Sequence, residues 1–75
     1  MNNKAVLEML KIKEECITKC ILIINIQLTM IGLAKSNKIT VEEFRNIHDK
    51  LEECKTTFTE IKIACDNTIQ QYLSA

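Results

Sequence analysis

The chain of 75 residues has no proline, no tryptophan and a single glycine, Gly32. Proline and glycine stop helices and make tight turns, so their scarcity excludes a turn-rich β protein; a hydrophobic content of 47% excludes a disordered tail. Long uninterrupted helices are what remains. Arginine is nearly missing as well. Arg45 is the only guanidinium among ten basic residues, which ten acidic ones balance to a formal net charge of zero. A protein that tracks a nucleic-acid backbone needs a basic excess to neutralise phosphates, so nucleic acid is disfavoured as a partner. There is no glycine-rich phosphate loop and no nucleophile set beside a base, and the chain is read as a non-enzyme without a cofactor.

At 8.6 kDa one domain spanning 1–75 is the most the chain can form, and a single core of that size only marginally offsets chain entropy. Nothing interrupts a helix over residues 4–34 before Gly32, which predicts a first helix over 3–35. The stretch KSNKIT then gathers turn-forming residues into a turn over 36–40. It ends in Thr40 with Glu43 three positions later, a capping box, and Ile39 and Phe44 stand where a hydrophobic staple needs them. A second helix follows over 41–73. Its seam runs through Phe44, Ile47, Leu51, Cys54, Phe58, Ile61, Cys65, Thr68 and Tyr72 in alternating steps of three and four, with charged and polar residues elsewhere.

Helix one has two apolar seams side by side. Leu10, Ile17, Ile24 and Ile31 with Val6, Cys20 and Ala34 form one. Met9, Cys16, Ile23 and Met30 with Ala5, Ile12, Ile26 and Leu33 form the other. A partner helix covers one such stripe, and a helix apolar on most sides belongs at the centre of something larger. Lipid fits poorly: the uncharged run 20–34 is ~22 Å long against a hydrocarbon core of ~30 Å, and it contains Asn25, Gln27 and Thr29. A membrane is therefore the lesser reading. The expectation is an all-α protein of two long antiparallel helices, a helical hairpin assembling into a four-helix bundle or larger homo-oligomer. Leu10, Ile17, Cys20, Ile23, Ile24 and Ile31 are its expected interface, and Asn25 and Gln27 its buried amides fixing register between copies.

Four cysteines raise a thiol-metal reading. Cys16 and Cys20 lie one turn apart, a hairpin sets Cys54 roughly opposite, and three such thiols could bind copper or zinc. All four fall on apolar seams, where free cysteine packs as a small hydrophobe, and core packing is the favoured reading. His48, the only histidine, stands one position off the seam and is read as a flanking surface residue near Asp49 and Glu52.

The function expected is binding: occlusion or scaffolding of another protein through the helical faces. Arg45, the threonines Thr56, Thr57 and Thr59, and the apolar Ile63, Ile69 and Leu73 are the candidate contacts. In size, composition and lack of catalytic motifs the chain resembles the small all-helical inhibitors that phages and mobile elements direct against host proteins. Its richness in Ile, Lys and Asn fits an AT-rich genome, so the cytoplasm of a low-GC bacterium or infected host cell is the expected location. The alternative is an oligomeric sponge for a small nucleotide messenger, with Asn37, Lys38, Arg45 and the 56–59 strip at its sites. A thiol-based metal-binding bundle through Cys16, Cys20 and Cys54 is the further alternative.

Overall fold

The computed structural model describes residues 3–74 and contains, among them, two helices: α1, Asn3–Lys35, and α2, Val41–Ser74. They run antiparallel as a hairpin 56 × 14 × 12 Å in extent, one helix long and one helix thick. The expected elements are present. α2 runs one residue further than expected, which is ordinary fraying at a helix end.

The turn is fixed by hydrogen bonds on both sides. At the end of α1 the Lys38 amide donates to the Leu33 carbonyl at 2.9 Å and the Asn37 amide to the Ala34 carbonyl at 3.1 Å, the bond pair of a Schellman motif. That motif needs one residue in the left-handed region, and Asn37 takes it with φ of 59°. Asparagine enters that region at less cost than most side chains, so the chain turns here without a second glycine. At the start of α2 the Glu43 amide donates to Thr40 Oγ1 and the Thr40 amide to Glu43 Oε1, both at 3.1 Å, the reciprocal pair of a capping box. The Thr40 amide, with the Thr40 hydroxyl second, holds the Glu43 carboxyl below its usual range.

Within the hairpin the helices close on a narrow seam. Cys16, Ile23, Cys65 and Ile69 are the buried apolar residues, and Gln27 is buried with them. α2 does not use the whole seam its sequence suggested. Phe44, Leu51, Phe58 and Cys65 face α1, but the second column is His48, Lys55, Lys62 and Ile69, while Ile47, Cys54, Ile61 and Tyr72 are exposed.

The cause lies on the opposing edge of α1, which carries the polar residues Lys13, Cys20 and Gln27 at seven-residue intervals. Each meets a partner at matching intervals on α2. Lys13 Nζ lies 2.7 Å from Asp66, Cys20 Sγ lies 3.9 Å from Thr59 Oγ1, and Gln27 Nε2 donates to Glu52 Oε1 at 2.7 Å. Satisfying these groups rotates α2 so that the stems of Lys55 and Lys62 lie along the seam while their ammonium groups reach Glu52 and Asp66. Glu52, Lys55, Lys62 and Asp66, expected on the wet face, are half-buried instead.

Thr40→Ala removes one half of the capping box and is expected to lower stability by about 1 kcal/mol. Thermal or urea melting checks this, and an unchanged midpoint would contradict the cap's role.

Candidate functional site

What the hairpin leaves uncovered is the candidate site. Along α1, Leu7, Leu10, Ile17, Ile21, Ile24, Leu28 and Ile31 recur in heptad steps and all are exposed, from 36% at Ile31 to 65% at Leu7. Only Glu14 interrupts this stripe, which runs ~36 Å along the helix. Ile17, Ile24 and Ile31 each lie one turn beyond Lys13, Cys20 and Gln27, so the stripe is on the polar-ladder side of the hairpin, about a quarter-turn round from the seam. The other edge carries a second, less exposed set: Ile12 and Ile26 of α1 with Ile47, Cys54, Ile61 and Tyr72 of α2.

The expected oligomer interface therefore divides. Leu10, Ile17, Ile24 and Ile31 stand together on the exposed stripe. Ile23 is buried against α2, and Cys20 is half-buried beside the Lys55 carbonyl at 3.8 Å. Both serve the hairpin's own seam. The two amides divide as well. Asn25 is exposed, whereas Gln27 is buried and bridges the helices of one chain, donating to Glu52 and accepting from Lys55 Nζ at 3.4 Å. Its register role is intramolecular.

Of the candidate partner contacts, Arg45, Thr56, Thr57, Thr59, Ile63 and Leu73 are exposed. Ile69 is not: it is 8% exposed and packs in the hairpin core, because the rotation of α2 turns it inward. The Thr57 and Thr59 hydroxyls donate to the carbonyls of Glu53 and Lys55 at 3.1 and 2.8 Å, so they are spent on their own helix and give the strip little free donor capacity. Arg45 is also ~16 Å along the helix from Thr56, so these groups do not converge on one phosphate within a chain.

The thiols do not converge either. Cys16 and Cys65 are buried, Cys20 is half-buried and Cys54 is exposed on the other edge from Cys20, so the trio of Cys16, Cys20 and Cys54 is not assembled. Among the described residues no group of three His, Cys, Asp or Glu side chains is placed to hold a metal ion. Burial, with lesser contributions from Cys65 and Cys20, pushes the Cys16 thiol above its usual range and keeps it a neutral packing group.

His48 is half-buried rather than flanking. Its ring stacks on Phe44 with centroids 5.6 Å apart, and its Nδ1 is enclosed without a hydrogen-bond partner among the described residues. An open hollow of about 320 Å³ is formed by Lys11, Glu14, Glu15, Thr18 and Lys19, all from α1 alone. It is surface relief on a single helix, open to solvent and without the enclosing walls of a ligand site.

Sequence reasoning missed the polar ladder. The signal was there: polar residues at 13, 20 and 27 on one helix and at 52, 59 and 66 on the other recur at the same seven-residue interval. Hydrogen bonds from Lys55, then Gln27, lower the Glu52 carboxyl from its usual range, and the hydrogen bond from Lys13 does the same for Asp66. A carboxyl depressed in the folded state contributes stability above its unfolded pKa, and that contribution is lost as pH falls through the folded pKa. Melting temperature is therefore expected to hold steady from pH 7 to about pH 5 and to fall as pH drops below about 4. Glu52→Gln with Asp66→Asn should flatten that acid limb, and an unchanged limb would contradict the ladder.

No family model matches the chain, and neither a curated protein nor a solved structure matches it.

Proposed function

We propose that the chain is a non-enzymatic binding protein that works as a homo-oligomer, built through the exposed stripe of α1, and acts by occluding or scaffolding another protein with the helical faces left outside. The carrying observation is the stripe itself: seven large aliphatic side chains in heptad register, unpartnered within the hairpin. That is the pattern of a helix made to pack against a second helix on this side.

Area supports the same reading. The chain exposes 5727 Å², whereas a compact monomer of its mass exposes about 4,700 Å². The excess of about 1,000 Å² per chain is comparable to the ~800 Å² that each partner buries in a standard protein interface. A second copy supplies an equally long apolar stripe, so both are covered from Ile17 to Ile31 at once in a four-helix bundle. The remaining outward surface of α2, with Arg45, Thr56, Ile63 and Leu73, is mixed polar and apolar, the composition of an interface rim. An inhibitor acting in the cytoplasm on a host bacterial protein is the role we infer for it, on composition and resemblance.

α1 is also long and apolar enough to cross a membrane by length and composition, and the same experiment separates that occupant. Ile24→Asp places a carboxylate on the stripe while leaving Cys16, Ile23, Cys65 and Ile69 untouched. Sedimentation without detergent is expected to show an oligomer for the parent chain. The variant should dissociate with a dissociation constant raised ~100-fold or more, because desolvating an unpaired charge costs on the order of several kcal/mol. A parent chain that is monomeric, or that sediments only with added vesicles, would contradict the proposal.

A further inference from the structure

Resting on the self-association proposed above, we infer that two copies pair through α1 in antiparallel orientation, with Glu14 of each copy set against Lys35 of the other. The stripe is not uniform along its length. Ile17, Ile21, Ile24, Leu28 and Ile31 form an uninterrupted apolar run, and the heptad positions that close it at either end are occupied by Glu14 and Lys35. Both side chains are exposed, and among the described residues neither has an ion-pair partner within its own chain.

Orientation follows from the signs of these charges. In a parallel pair about a two-fold axis, each residue of the seam meets its own copy, so glutamate faces glutamate at one end and lysine faces lysine at the other. In an antiparallel pair the acidic end of one stripe meets the basic end of its partner, twice per dimer. Opposite charges flanking an apolar seam set partner orientation in this way. The two charges are 21 residues apart, three heptads and ~32 Å, so both ion pairs form in one register without displacing the apolar run.

That register also places the two-fold axis. The midpoint between Glu14 and Lys35 falls between Ile24 and Asn25, so the exposed Asn25 amide of each copy lies beside its counterpart at the edge of the seam. A polar residue at one point of an apolar interface penalises slipped registers, because any slip leaves it against hydrocarbon. Glu14, the one apparent flaw in the stripe, becomes its end marker. Leu7 and Leu10 lie beyond it, outside the paired run.

The test uses the parent chain, Glu14→Lys, Lys35→Glu and the double swap, each measured by sedimentation equilibrium at about 0.05 M and about 1 M salt. Each single swap turns two ion pairs into two like-charge contacts and is expected to raise the dissociation constant about tenfold at low salt, with the double swap restoring it. The differences should collapse at high salt. Equal constants for all four chains would overturn the antiparallel pairing while leaving association through the stripe intact, as would single swaps that weaken association without rescue, which report a local effect on α1. A monomeric parent chain would overturn the association reading and this inference with it.

Discussion

α1 is apolar around more of its circumference than one neighbouring helix can cover, and the rest of the structure follows from that imbalance. A helix can be hydrophobic on most sides only where most sides are out of water. α2 takes one of those sides, and its own outward surface is charged enough to face solvent. Yet the hairpin is one helix thick, buries four apolar residues and leaves a second heptad stripe of α1 open along most of its length. A hairpin of this shape leaves that stripe for another occupant.

Which side α2 takes is decided by polar groups rather than by apolar ones. α1 offers more than one apolar stripe, so apolar burial alone does not fix which of them α2 takes. The pairing observed gives Gln27 two charged partners, Lys13 a carboxylate and Cys20 a hydroxyl, and an unsatisfied buried amide costs more than a modest loss of apolar contact. The ladder thus selects the pairing and, by doing so, determines which stripe of α1 is left for another occupant. Its contribution to stability is modest, because these ion pairs are half exposed; its contribution to specificity is larger.

The sequence made the helices and their junction legible because those features are local. Thr40 with Glu43 reads as a capping box from four residues, and the absence of proline leaves little else to interrupt α1. Rotation about the helix axis was not legible from hydrophobic period alone. Ile47, Cys54 and Ile61 look like seam residues by that measure, and they lie outside it because lysine stems can stand in for aliphatic side chains when their ammonium groups are paired. The same blindness put Ile69 outside the core and treated Asn25 and Gln27 alike, though three-residue ladders at matching heptad spacing would have separated them. The interaction face was half legible: Leu10, Ile17, Ile24 and Ile31 were readable as one column, while Cys20 and Ile23 needed the position of α2 to be assigned to the hairpin itself.

Native mass spectrometry of the gently purified protein, across a range of concentrations and without detergent, addresses the central claim most directly. If a second copy covers the exposed stripe of α1, the spectra will show a dimer or an even multiple of it, with monomer appearing only on dilution. A monomer at every concentration, with helix content undiminished, would contradict it, because the stripe would then be stable in water alone.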